Sequence, residues 1–551
     1  MTAPEAEDRV TATREKIIDA VTSGDSFDTI VIGGGIHGAC AARFAAMSGF
    51  RTLLIEKADY GSGTSSRSSK MAHGGLRYLE MFDFSQVFEG IRSREELFQF
   101  APHAVKPDEF LIPVPRGQWW FWLKLKIGLL LYDLMVQKKE RRHRWIPRAK
   151  LSIKGFTQER KDLAGCFQYT DGLMNDARLV IENIVSAREH GALCLNYAEC
   201  LKVIDDADEG STRVQFVDSI TKVVSTVRTR LVINCAGPWA PFIHQRARVG
   251  HSLQAKYSRG THALFTVPWR SPTLFLPLAE KGRYYFVWPH PGGTMVGTTE
   301  RDVAELPDDP TPSRDEIEEI LARVAKDIPD AGLNADTLYY AFAGIRTLPL
   351  RAATKKASEL SRKHIWNLER GVLSLLGGKY TTYAWTAAEG VSLAAKALGR
   401  SVDRAKFSNR GLPGYLVDQS RKEMVTILID THGIPIGVAE RAVDRLGGYM
   451  ARYLARPEAL KILTDGVLAA EVFHAFEVEQ AETLEDVMRR RIDLELMPGF
   501  GGGSIAEVAG IAVRSTMQRK VGSEQFEAYR RKVAAITDMI EKVRSETATS
   551  A

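Results

Sequence analysis

Cysteine is scarce in this 551-residue chain, and none of it is paired in sequence. Cys40, Cys166, Cys194, Cys200 and Cys235 are odd in number, scattered, and form no CxxC pair. That favours a reducing compartment and argues against structural zinc or another metal site. Long apolar runs are also missing. The most apolar stretch, Gln118 to Val136, is interrupted by Lys124, Lys126 and Asp133, whereas a membrane-spanning helix needs about 20 predominantly apolar residues. The first 26 residues mix acids, bases and small polar residues with no apolar centre. They are therefore neither a secretory signal nor a span, and are expected to be a frayed or helical extension. Net charge is small, +6 from 74 Lys plus Arg against 68 Asp plus Glu. No recognised nucleic-acid module accompanies it, so nucleic acid is not an expected partner. There is no internal repeat and no extended low-complexity tract.

What is present is ordinary globular composition, 44% hydrophobic and 26% charged, on a length that suits about two or three domains. The clearest signal is DTIVIGGGIHGACAARFAAMSGFRTLLIEK, Asp28 to Lys57. An apolar run (Ile30, Val31, Ile32) meets Gly33, Gly34, Gly35 and Gly38 in GxGxxG spacing. An Ala-rich amphipathic segment follows, then a second apolar run ending in Glu56. This predicts strand, tight turn, helix and strand. The first glycine of the motif makes the turn, the second lets the backbone approach a pyrophosphate, and the third lets helix and sheet pack closely. The pyrophosphate would sit at the helix N-terminus, and Glu56, about 20 residues on, would accept hydrogen bonds from an adenosine ribose.

The rest of the chain adds a glycine- and hydroxyl-rich loop, GSGTSSRSSKMAHGGLRYLE (Gly61 to Glu80), suited to wrapping a cofactor. From Arg116 to Arg160 there are 12 Lys plus Arg against 3 Asp plus Glu. The aromatic cluster there, followed by KKERRHRW (Lys138 to Trp145), suits an element lying on an anionic bilayer. A buried helix followed by a solvated basic loop fits the same residues. Alternating segments between Leu193 and Val232 predict a β-meander that re-enters a parallel sheet at Leu231 to Asn234, with Gly237 marking a second close backbone approach. HALFTV (His262 to Val267) and a hairpin turning at His290 to Gly293 would build an antiparallel layer over the cofactor. GGKYTTY then leads into the last helix of this part, with Lys379 at its start. Beyond about Asp403 the pattern is helical, with charges such as MRRRIDLE (Met488 to Glu495) interspersed. The expected organisation is an extension at 1–26, interleaved cofactor and substrate domains over 27–402, and a helical domain over 403–551.

Taken together, VIGGGIHGACAA, TSSRSSKMAHGGLRYLE, QYTDGLMNDARLV, NCAGPWA, GTTE, GIR, GGKYTTY and TLEDVMRRRIDLE resemble the FAD-dependent glycerol-3-phosphate dehydrogenases. HGGLRYLE is the most specific of these strings. The resemblance implies an α/β fold with an FAD-binding Rossmann-like domain of glutathione-reductase type, D-amino-acid-oxidase-like, an antiparallel β-sheet substrate domain and an all-α C-terminal domain. It implies noncovalent FAD, oxidation of sn-glycerol 3-phosphate to dihydroxyacetone phosphate, and electrons passed to a quinone. It also implies a peripheral or monotopic place at the cytoplasmic side of the cell membrane, and a homodimer as an assembly to test.

Oxidising the secondary alcohol removes a hydride from carbon and a proton from oxygen, so a base is needed beside the flavin. His73 and His262 are the candidates, because imidazole titrates near working pH. By resemblance His73 lies beside the flavin and His262 faces the substrate. Arg77, Tyr78 and Lys379 would grip the phosphate, and Arg346 would stabilise charge on the substrate oxygen. Lys379 could equally back the flavin. Thr64, Ser65, Ser66 and Ser69 would lie along the wrapping loop, with Gly237 and Gly378 approaching by backbone. Two residues depart from the family pattern: Thr347 follows Arg346 where a proline is usual, and GTTE ends in Glu300 where aspartate is common. These leave open another polyol phosphate, such as a tetritol phosphate. An oxygen-using oxidase and a flavin-binding regulatory or scaffold protein are the other readings.

Overall fold

The predicted strand–turn–helix–strand unit forms because its apolar runs are buried on both faces, as central parallel strands must be. The computed structural model describes residues 8–24, 26–76, 84–134, 136, 138–153, 156, 160–206, 211–247, 253–278, 283–350, 364–408, 411–514 and 523–549. In it Phe27–Ile32 is a strand, Ile36–Met47 a helix and Thr52–Ile55 the second strand. They belong to a sheet ordered Ile365–Glu369, Val372–Leu376, Val224–Asn234, Phe27–Ile32, Thr52–Ile55, Leu193–Leu195. Four of the five pairings are parallel, and the one at one edge, Ile365–Glu369 on Val372–Leu376, is antiparallel. As expected, the meander Ala198–Asp206, Ser211–Asp218, Val224–Asn234 re-enters this sheet, Thr29 lying opposite Leu231 and Ile32 opposite Asn234.

One face of the sheet is covered by the helices Ile36–Met47, Asp176–Glu189 and Tyr383–Ala397, whose Ala39, Ile184 and Val391 are buried together. On the other face the meander packs with Ile17 and Val21 of the helix Arg14–Thr22. Within the N-terminal extension, expected to be frayed or helical, Arg14–Thr22 is a helix folded into the core. Arg14 is buried there, donating to Asp218 (3.2 Å) and to Asn196 Oδ1 (3.1 Å).

A second, largely antiparallel sheet has ten strands. Its spine is Ala255–Phe265 paired with Leu338–Pro349, in register from Ala255 opposite Pro349 to His262 opposite Phe342. The hairpin Tyr284–His290 to Gly293–Gly297 turns where the sequence expects it. Thr347, which follows Arg346 where a proline is usual, lies within the strand, opposite Tyr257.

Beyond residue 411 the chain is helical. Leu428, Val443, Phe473 and Val508 of four helices share one core. The long final helix Ser523–Thr549 joins that core through Tyr529, then reaches the antiparallel sheet, where Ile540 and Val543 are buried. The charges of MRRRIDLE, which suit a solvated helix, are instead inside. Asp486–Arg491 is a π-helical turn with all three arginines buried. Arg490 Nε and Arg491 Nη2 donate to Asp59 at 2.5 and 2.9 Å, tying the helical region to the loop just after Glu56.

Candidate active site

In open α/β sheets ligands bind beyond the carboxyl ends of the strands, and a cleft of about 970 Å³ opens there, between the two sheets. Gly33, Gly35, Glu56, Thr64, Ser65, His73, Gly237, Arg346, Gly378 and Lys379 all line it. The glycines do what their spacing implies. Gly33 has φ +103°, and a side chain there would meet Cys235 O at 2.6 Å. A Cβ on Gly38 would lie 1.9 Å from Gly33 O, so helix and turn touch backbone to backbone. Gly34 donates its N–H to Glu56 Oε2 (2.6 Å), and Ala58 N donates to Oε1 (3.0 Å). Burial raises the Glu56 pKa, while those two amides oppose the rise. Opposite, Lys57 Nζ lies 3.9 Å from the centre of the Trp239 ring, both residues lining the cleft.

The wrapping loop divides its labour. Thr64 Oγ1 donates to Ile345 O (2.7 Å), and Ser65 Oγ accepts from Ile36 N (3.0 Å), so both lock the loop to its surroundings at the cleft wall. Ser66 is buried behind them. Ser69 does not line the cleft; its Oγ lies 2.9 Å from His262 Nε2. Gly237 (φ +57°) faces open space that a cofactor can occupy. Lys379 precedes the helix Tyr383–Ala397 instead of opening it. Arg77 and Tyr78 lie outside the described residues.

His262 is 2% exposed, with its ring stacked on Phe342 (centroids 5.1 Å apart) and edge-on to Trp288 (5.9 Å). Burial, then the charges of Arg346 and Lys70, press its pKa down to about 3, so it is neutral at working pH. Arg346 Nη2 donates to Thr298 Oγ1 (3.1 Å) and lies against Gly260, where a Cβ would come within 2.8 Å of the same nitrogen. His73 lines the cleft directly, its amide held by Thr381 Oγ1 at 3.1 Å.

One site residue escapes sequence reasoning although it stands inside the glycine fingerprint. His37 lines the cleft in the first turn of the Ile36–Met47 helix. Its Nε2 is buried with no hydrogen-bond partner among the described residues, and Gly378 is packed so close that a Cβ would sit 2.8 Å from that nitrogen. Burial, then the nearby His364, lowers its pKa to about 4. An orphaned ring nitrogen, a glycine turn with no room for side chains and a helix N-terminus all border one cleft, which fits a bound dinucleotide.

Fold and site thus define a dinucleotide-binding oxidoreductase of α/β type. The family model described as FAD dependent oxidoreductase matches residues 28–384. The chain belongs to that family and, within it, to the glycerol-3-phosphate dehydrogenases, and its cofactor is FAD. It is 32% identical to the glycerol-3-phosphate dehydrogenase of Synechocystis sp. over 88% of this chain and 92% of that one. It is 29% identical to the aerobic glycerol-3-phosphate dehydrogenase of Bacillus subtilis, over 81% and 82%. Its fold matches the glycerol-3-phosphate dehydrogenase of Bacillus halodurans, solved with FAD, at a TM-score of 0.75 and 23% identity, covering 97% of this chain and 98% of that one.

Proposed function

We propose that this chain oxidises sn-glycerol 3-phosphate to dihydroxyacetone phosphate, as a step of glycerol metabolism, and passes the electrons to a quinone at the cytoplasmic face of the cell membrane. The observation that carries this reading is the meeting of Arg346, Lys379 and His73 with the glycine turn and Glu56 in one cleft. Bound FAD supplies hydride acceptance at its N5. The guanidinium of Arg346, always charged and unable to act as a base, holds the substrate's negative oxygens, and Lys379 adds a second cation. The hydroxyl proton passes to one of the site's imidazoles. His73 stands at the cleft wall and is the favoured acceptor, whereas His262, buried behind the wall with Nε2 on Ser69 and its pKa pressed down to about 3, does not line the cleft and is the weaker base. A dianionic phosphate arriving beside Arg346 offsets one of the two cations that press the His262 pKa down. The enzyme, given sn-glycerol 3-phosphate and a soluble quinone in air, is expected to form dihydroxyacetone phosphate and quinol one for one. Peroxide as the main product, or faster turnover of a tetritol phosphate, would overturn this reading.

The membrane part of the proposal rests on the helix Trp119–Asp133. No described helix is long and apolar enough to cross a membrane, yet Trp119 and Trp120 are 69% and 66% exposed, and Ile127 and Leu130 are exposed beside Lys124 and Lys126. Aromatic and aliphatic groups flanked by lysines suit the interface of an anionic bilayer. The basic segment after the helix contributes less than its charge suggests, because Arg141, His143 and Arg144 face Glu95, Asp133 and Glu109 at 2.8, 2.7 and 3.4 Å. Trp119→Ser with Trp120→Ser is expected to cut sedimentation with anionic liposomes about tenfold or more, by loss of buried apolar area. Equal sedimentation of variant and parent would sink the assignment of this helix.

A further inference from the structure

Behind His73 lies a buried polar cluster that none of the chemistry above uses. Asp171, on the strand Leu163–Met174, is 1% exposed, and its Oδ1 accepts from Tyr132 OH (2.5 Å), Arg94 Nη1 (2.7 Å) and the backbone N–H of Gly74 (3.0 Å). Arg94 is fully buried as well, and it also donates to Thr170 O (2.7 Å) and pairs with Glu95 (2.7 Å). A buried carboxylate–guanidinium pair contributes little net stability, because desolvation cancels most of the attraction. What it does is fix the position of whatever it holds, and here that is the peptide next to His73.

The surroundings leave that peptide no freedom. A Cβ on Gly74 would come within 2.3 Å of the Tyr132 hydroxyl and 2.7 Å of Ile91, so two helices press on the bare backbone. Next to Ile91 on the same helix, a Cβ on Gly90 would come within 2.8 Å of Gly74 O. Before it, Ala72 is paired with Gly172 in the sheet, and the His73 amide is held by Thr381. We infer that Asp171, braced by Tyr132 and Arg94, is a positioning residue that sets His73 in the cleft through the amide of Gly74. For its kinetic consequence this rests on the function proposed above; for the placement of the ring it does not.

Tyr132→Phe and Asp171→Asn test it in the FAD-loaded protein, the first keeping the packed ring should the second fail to fold. In spectra of protein labelled at the histidine ring carbons, the His73 signal, identified by its loss in His73→Ala, is expected to shift or split in Tyr132→Phe while the His262 signal stays. Anaerobic flavin reduction by sn-glycerol 3-phosphate, expressed per bound flavin, is expected to slow about threefold to 100-fold, because small misplacements at a reacting centre are costly. In the His73→Ala background the same changes are expected to add no further loss, since they act through that ring. An unmoved His73 signal, or the same fold-loss with and without His73, would overturn the inference. If sn-glycerol 3-phosphate fails to reduce even the parent protein, the proposed function falls and the ring signals still decide the positioning.

Discussion

Replacing Arg346 by alanine is expected to lower kcat/KM for sn-glycerol 3-phosphate by about 10²–10³-fold, the loss typical of removing one preorganised donor from a developing negative charge. The expectation follows from its setting. The side chain is held by Thr298 and by contact with Gly260, on a strand locked in register with the one that carries His262. FAD content is expected to stay the same, because the proposed adenosine site at Gly33, Gly34 and Glu56 belongs to the other sheet. Arg346→Lys restores the charge without the planar fork and is expected to recover part of the loss. Removing Arg346 also removes one of the two cations that lower the His262 pKa, which is then expected to rise. Steady-state kinetics of parent and variants decide the matter, and a change below about threefold in Arg346→Ala would remove the residue from the site.

The second large effect is structural. Burial alone would raise the Asp59 pKa, but Arg491 and Arg490 together bring it below the usual carboxylate range. Arg490 also donates to Asp486 at 2.6 Å, and Arg491 to Glu479 O at 3.0 Å. Asp59→Ala leaves two guanidinium groups buried without their shared carboxylate, a loss of about 3–5 kcal/mol. It is expected to lower the denaturation midpoint and to loosen the loop that carries Glu56, so that FAD dissociates more readily. Asp59→Ala with unchanged midpoint and FAD retention would show that the helical region is not anchored through this residue.

How much of this was legible in sequence depended on distance along the chain. The nucleotide unit could be read because its apolar runs, glycines and terminal acid lie within some thirty consecutive residues, each constrained by local geometry. The hairpin at His290 to Gly293 and the return of the meander at Leu231 were legible for the same reason. Asp59 and Arg490 are 431 positions apart, and MRRRIDLE has the composition of a solvated helix face. Nothing local tells a buried arginine with a distant partner from an exposed one. The same holds for Arg14: the partners that pin the polar N-terminal segment, Asp218 and Asn196, lie more than 180 positions on. Ser69 reads as a cofactor residue from its neighbours in the loop, yet its Oγ lies against His262, a partner 193 positions on. His37 stood in plain view inside the fingerprint, but its orphaned nitrogen is created by Gly378, which only the fold brings near.

The measurement that bears most directly on the function is the visible spectrum of the purified protein under anaerobic conditions, before and after addition of sn-glycerol 3-phosphate. The expected result is a yellow protein whose oxidised-flavin band bleaches rapidly and returns when a quinone is added. A yellow protein whose band sn-glycerol 3-phosphate leaves untouched would contradict the proposed substrate, and a colourless protein that takes up no FAD would contradict the reading of the cleft itself.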